Sequence, residues 1–132
     1  MHILLVEDQE ANACLYVRWL TEADGHTADV RLTGLEGLQA ALDGAYQAYL
    51  IDLDLPDMDG LQVGLALARH MQSDRLPRAP IIAVTARADT STRQEAARLG
   101  FDAMICKPFT GNDLKGLLAH FLTTVADEGE QG

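Results

Sequence analysis

Four unbroken apolar runs punctuate the chain: ILLV (Ile3–Val6), AYLI (Ala48–Ile51), IIAV (Ile81–Val84) and AMIC (Ala103–Cys106). Short runs without polar alternation suit strands covered on both faces. A fifth segment, TADVR (Thr27–Arg31), alternates polar and apolar residues, as a half-exposed edge strand does. Between these runs the apolar positions change to helical spacing. Leu15, Trp19 and Leu20 predict the buried face of a first helix, and Leu35, Leu38 and Leu42 that of a second. Leu61, Leu65, Ala68 and Met71 mark a third, and Leu114, Leu117, Leu118, Phe121 and Leu122 form the clearest stripe. The stretch from Thr90 to Leu99 is the weakest helical pattern, with mainly alanines and Leu99 to bury. Gly25, Gly44, Gly100 and Gly111 flank the periodic segments, and Pro77 and Pro80 bracket the approach to the fourth strand. Strand and helix therefore alternate five times, which requires crossover helices, right-handed connections and a parallel α/β sheet. The closing ADEGEQG reads as a loose acidic tail over 126–132, leaving one domain over 1–125.

Composition narrows the function classes. At 132 residues, 48% hydrophobic and 23% charged, the chain suits one globular domain. Its formal net charge of −10 argues against a nucleic-acid partner, because phosphate backbones demand a basic patch. Cys14 and Cys106 form no C-x-x-C pair and His2, His26, His70 and His120 are scattered, so no zinc spacing exists. Two buried, reduced cysteines are expected. No apolar stretch reaches the roughly 18 residues of a membrane span, and no signal peptide precedes Glu7-Asp8. The expectation is a cytoplasmic protein without a membrane partner.

The strand ends carry the chemistry. In a parallel α/β sheet, ligands bind beyond the carboxyl ends of the strands, where the strand order reverses. The first run ends in Glu7-Asp8, the third in Asp52, the fourth in Thr85 and the fifth in Lys107. All five belong at one edge of the sheet. Two carboxylates about 4 Å apart repel by roughly 4 kcal/mol at an effective dielectric of 20, so either their pKa values rise or a cation neutralises them. Oxygen ligands without imidazole favour a hard divalent ion, Mg²⁺. Asp8 is also a candidate cap for the first helix, and Asp57 and Asp59 read best as loop or capping residues, Asp59 ahead of Gly60 and Leu61. A carboxylate can be a nucleophile that becomes an aspartyl phosphate, with Mg²⁺, the Lys107 ammonium and the Thr85 hydroxyl each serving one phosphoryl oxygen.

From ILLVED through IDLDLPDMDG and IIAVTA to ICKPF, the chain resembles the receiver domain of two-component response regulators, the CheY-like superfamily. The resemblance implies a doubly wound, flavodoxin-like (βα)5 fold with strand order 2-1-3-4-5. It implies Asp52 as phosphoacceptor, Asp8 as direct Mg²⁺ ligand, Glu7 acting on the metal through water, and Asp54 supplying its backbone carbonyl. Thr85 matches the switch hydroxyl, Ala86 the small neighbour that leaves it space, and Lys107 the phosphate-binding lysine. A cis bond precedes Pro108 in the family. Asp54 and Arg87 match positions that flank the phosphoryl group and tune its lifetime. Met104 departs from the pattern, standing where the family often has an aromatic switch residue, so a blunted or rerouted conformational change is expected. The implied partners are a histidine kinase or phosphotransfer protein and an output protein or domain that the sequence does not name. Pairing of two copies through the face of the fourth helix, fifth strand and fifth helix is a family option. Two alternatives stand beside this. DLDLP contains the D-x-D of haloacid-dehalogenase-like phosphatases, although their acidic metal motif follows the lysine, whereas here Glu7-Asp8 comes first. A degenerate receiver serving only as an interaction module is the other.

Overall fold

A computed structural model describes residues 1–22, 25–87 and 89–121, with the backbone course of the helices that continue through 23–24 and 122–131. The acidic tail expected over 126–132 and the side chain of Leu122 lie outside the described residues. The elements alternate as β1 (His2–Val6), α1 (Glu10–Asp24), β2 (Thr27–Arg31), α2 (Gly34–Asp43), β3 (Ala48–Asp52), α3 (Gly60–Gln72), β4 (Ile81–Thr85), α4 (Thr90–Leu99), β5 (Ala103–Cys106) and α5 (Gly111–Gln131). The strands form one parallel sheet in the order β2-β1-β3-β4-β5. This is the flavodoxin-like doubly wound order, and its reversal point falls between β1 and β3.

Period-two alternation along each strand builds two cores. Ile3 and Leu5 of β1 join Leu50, Ile82 and Val84 against Tyr16 and Leu20 of α1 and Leu114 and Leu118 of α5. Leu4 and Val6 point the other way and join Tyr49, Ile51 and Ala83 against α2, α3 and Ala96 of α4. Each buried Leu, Ile or Val contributes about 1.5–3 kcal/mol, so stability concentrates in the middle of the sheet. The carboxyl edge is left free to carry charge that would not by itself favour folding.

The helices depart from their sequence pattern in instructive ways. On α1 the buried face is Ala13, Tyr16 and Leu20, whereas Leu15 is 39% exposed, because it falls off the i, i+3, i+7 line. On α2 the buried residues are Gly34, Gly37, Ala40 and Ala41, and Leu35 and Leu42 are exposed. The small residues let α2 lie close to β1: a Cβ on Gly37 would sit 2.5 Å from a Val6 methyl. On α3, Val63 and Leu67 are buried deepest, with Leu61, Ala68 and Met71 partly buried beside them. Asp8 does not cap α1. The N-cap is Gln9, which makes no side-chain capping bond, and Asp8 belongs to the acidic edge. Asp59 caps α3 by accepting from the Leu61 N–H at 3.0 Å. Asp57 accepts from the Gly34 and Leu35 N–H groups at 2.8 and 3.0 Å, tying the loop after β3 to the start of α2. Cys14 is exposed and Cys106 half-buried, contrary to the expectation of two buried thiols, since Cys14 also lies off the buried face of α1.

Candidate functional site

Backbone pairing sets the strand ends side by side. The Glu7 N–H donates to Arg31 O, Leu53 N–H to Val84 O and Lys107 N–H to Thr85 O, each carrying the ladder one residue past a strand end. Glu7, Asp8, Asp52, Thr85 and Lys107 thus meet at the carboxyl edge of β1, β3, β4 and β5, beside the reversal point. The loop after β3 folds back upon itself, with Asp54 bridged to Asp59 and the Gly60 N–H donating to Leu53 O at 3.0 Å.

Glu7, Asp8 and Asp52 each offer an oxygen, and these atoms lie within 4.8 Å of one another. At that spacing each ionised pair repels by about 3 kcal/mol at an effective dielectric of 20. Lys107 provides partial neutralisation: its Nζ donates to Asp52 Oδ2 at 2.8 Å and to Glu7 Oε1 at 3.3 Å. The Asp54 N–H donates to the other Asp52 oxygen at 2.8 Å. Glu7 and Asp52 are both buried, 1% and 2% exposed, and Lys107 is half-buried between them. Glu7 Oε2 is buried with no hydrogen-bond partner among the described residues.

These contacts split the two buried acids. Burial pushes Glu7 up to about 7, and the neighbouring Asp52 carboxylate adds to the shift. Burial also works to raise Asp52, but the adjacent Glu7 and the hydrogen bonds from Lys107 and the Asp54 N–H outweigh it and hold Asp52 below the usual carboxylate range. Burial opposes the Lys107 charge, yet the Asp52 contact and the charge of Glu7 raise its pKa overall. With three carboxylates and one ammonium, the edge is short of positive charge. The orphaned, buried Glu7 oxygen and the all-oxygen donor set fit a hard divalent cation.

Around this centre, Thr85 is fully buried and its Oγ1 accepts from the Arg87 N–H at 2.9 Å. The Arg87 guanidinium pairs with Asp54 Oδ1 at 3.3 Å across the mouth of the site, both side chains being 54% exposed. Ala86 is exposed beside Thr85. The Lys107–Pro108 peptide bond is cis. Met104 is partly buried and packs against the core that includes Val63 and Leu67 of α3 and Ala96 of α4. One contact escaped the sequence reading. Asn12, in the first turn of α1, donates its Nδ2 to Glu7 Oε1 at 2.9 Å. Its only sequence signal is a polar residue one turn into a helix that follows an acid pair.

A parallel sheet of this order, with clustered acids and a lysine at its reversal point, defines a doubly wound α/β domain with an acidic site at the carboxyl edge of its sheet. The chain matches the family model "Response regulator receiver domain" over residues 3–119 and belongs to that family. It is 34% identical to the aerobic respiration control sensor protein ArcB of Escherichia coli over 128 residues, covering 97% of this chain and 16% of that protein. It is 32% identical to the transcriptional regulatory protein SrrA of Staphylococcus aureus, covering 97% of this chain and 52% of that one. The chain therefore spans about half, or less, of the length of these relatives. Among solved structures, it is similar to the receiver domain of sensor histidine kinase PA1611 from Pseudomonas aeruginosa, with magnesium coordinated in the active-site cleft. That match has a TM-score of 0.76 and 28% identity, over 90% of this chain and 94% of the other.

The family is one of two-component signalling, whose receivers work with histidine kinases and phosphotransfer proteins. It is a class of phosphoacceptor modules rather than turnover enzymes, which sets aside the phosphatase alternative. Among the described residues, no helix is long and apolar enough to cross a membrane.

Proposed function

We propose that Asp52 accepts a phosphoryl group from a phosphohistidine on a histidine kinase or phosphotransfer protein, with Mg²⁺ held by Asp8, Asp52 and the Asp54 backbone carbonyl and by Glu7 through water. The observation that carries this is Lys107 Nζ, 2.8 Å from an Asp52 oxygen, within an acid cluster spanning 4.8 Å. When bound, Mg²⁺ supplies a Lewis-acid clamp on the phosphoryl oxygens. In the transfer, a bond forms between an Asp52 carboxylate oxygen and phosphorus while the phosphorus–nitrogen bond of the donor breaks, and the imidazole nitrogen keeps the electron pair. Asp52 is suited to attack because its hydrogen bonds keep it ionised. Lys107 follows the charge from the carboxylate to the phosphoryl oxygens, where it compensates the charge of the transition state.

Thr85 completes the cycle. Its Oγ1 accepts from Arg87, so the hydroxyl proton remains free to be donated to the phosphoryl group. That bond shifts a pre-existing conformational equilibrium, with Ala86 leaving room for the movement. Met104 transmits the shift by repacking its flexible side chain among α3 and α4 rather than by swinging a ring inward. Hydrolysis of the acyl phosphate resets the domain, and the Arg87–Asp54 pair screens it from water. An intracellular setting, where kinase and receiver meet, belongs to this reading, and the output resides in a partner or a linked domain.

The test is intact mass after incubation with Mg²⁺ and a small-molecule phosphodonor. The parent gains one phosphoryl group, while Asp52→Asn and the parent in EDTA gain none. A folded parent that stays unmodified even with a phosphorylated kinase would overturn the reading in favour of an interaction module.

A further inference from the structure

We infer that Asn12 is a positioning residue for the metal, fixing the orientation of Glu7 so that one carboxylate oxygen is directed at the cation site. The inference rests on the reading of the acidic edge as a Mg²⁺ site.

Glu7 has an asymmetric environment. Its Oε1 receives two donors, Asn12 Nδ2 at 2.9 Å and Lys107 Nζ at 3.3 Å, whereas Oε2 is buried with no partner among the described residues. A carboxylate is rigid and planar, so pinning one oxygen fixes the direction of the other. The two donors are not equivalent. Lys107 makes its shorter contact, 2.8 Å, to Asp52 and is shared between the two acids. Once Asp52 carries a phosphoryl group, that ammonium is drawn further towards it. Asn12 then remains as the donor committed to Glu7. Its amide is neutral, so it orients the carboxylate without competing with the cation for charge, which a second lysine here would do.

The first turn of α1 gives Asn12 its reach. The turn is closed by the Ala13 N–H donating to Gln9 O, and the neighbouring Ala13 and Tyr16 anchor the helix in the core. Asn12 itself is half-buried, between that core and the acidic edge. Its side chain adds little to the helix, since alanine has the higher helix propensity. Asn12→Ala therefore leaves the fold in place while removing the donor.

The experiment is calorimetric titration of Mg²⁺ alone into the parent, Asn12→Ala, Glu7→Gln and the double variant, with thermal unfolding of each in EDTA. Groups that orient metal ligands typically carry 10–100-fold in affinity. The expected result is Mg²⁺ binding about 10-fold weaker in Asn12→Ala, with an unfolding temperature in EDTA close to the parent's. Because Asn12 acts through Glu7, Asn12→Ala should cost almost nothing further in the Glu7→Gln background. Asn12→Asp, of the same shape but facing Glu7 with an acceptor, should not restore parental affinity. Parental affinity in Asn12→Ala, or an equal loss in both backgrounds, overturns the inference while leaving the metal site intact. A parent that binds no Mg²⁺ overturns the site reading and this inference together, and the parent titration alone distinguishes that case.

Discussion

Gly60 offers a sharp test of how the strand that carries Asp52, the proposed phosphoacceptor, is held. It opens α3 directly beneath the end of β3, and an added Cβ would lie 2.2 Å from Asp52 O and 2.5 Å from Leu53 Cα. Both neighbours are backbone, so no side-chain rotation relieves the overlap. Overpacking of this kind costs up to about 3 kcal/mol, and alanine's helix preference returns about 1, leaving a net loss of about 2 kcal/mol for Gly60→Ala. Gly116 in α5 is the control, since a Cβ there meets nothing within 4 Å. Gly116→Ala should gain up to about 1 kcal/mol. The single tryptophan, Trp19, stands 6.0 Å from the Phe109 ring and reports unfolding by fluorescence. With a urea slope of about 2 kcal/mol/M, the Gly60→Ala midpoint falls by about 1 M and that of Gly116→Ala rises by about 0.5 M. Relieving the overlap moves Asp52 by about 1 Å, so phosphoryl uptake should slow by up to about 100-fold in Gly60→Ala alone. Equal midpoints, or normal uptake in Gly60→Ala, would refute the claim that this close approach positions the acceptor.

Two further outcomes follow from the charges. If Glu7 serves the proposed Mg²⁺ site it must be ionised, and its pKa is pushed up to about 7, so metal affinity measured by calorimetry should fall as pH drops below about 7. In EDTA the same group works the other way. The folded state holds a proton that the unfolded chain releases near its ordinary pKa of 4.5, so this stabilisation is complete below 4.5 and is lost as pH rises through about 7. Asp52, held low, contributes in the opposite sense, its stabilisation fading as pH falls below the usual carboxylate range. Urea midpoints of the parent in EDTA should thus decline between about pH 4.5 and 7, and Glu7→Gln should flatten the decline. Arg87→Ala should change stability by less than about 1 kcal/mol, because the Asp54 pair is exposed. It should hasten loss of the Asp52 phosphoryl group, followed by intact mass, and an unchanged decay would remove the screening role.

Much of this architecture is legible in the chain because strands covered on both faces cannot hide. Four strands occupy the segments their apolar runs mark and β2 the alternating TADVR, and the four runs deliver Glu7, Asp52, Thr85 and Lys107 to one edge. Helix faces are harder to read. Leu35 and Leu42 look like a core stripe by spacing, yet they are 58% and 50% exposed. Hydropathy ranks leucine above glycine and alanine, whereas close approach of α2 to Val6 selects the small residues instead. Asn12 was illegible for a different reason. A single hydrogen bond from a helix's first turn back over a loop leaves no period and no composition signal, and it emerges only when the turn is built.

The contact between Lys107 and Glu7 spans 100 positions, and Asp52 lies between them in sequence. A fragment ending before β5 contains all three acids but not Lys107, so a chain whose last strand has not docked leaves its acids without their ammonium. The counter-charge of the site is thus a property of the finished domain. A partly unfolded copy would hold the acids without that counter-charge, so the electrostatic balance of the site depends on completion of the fold.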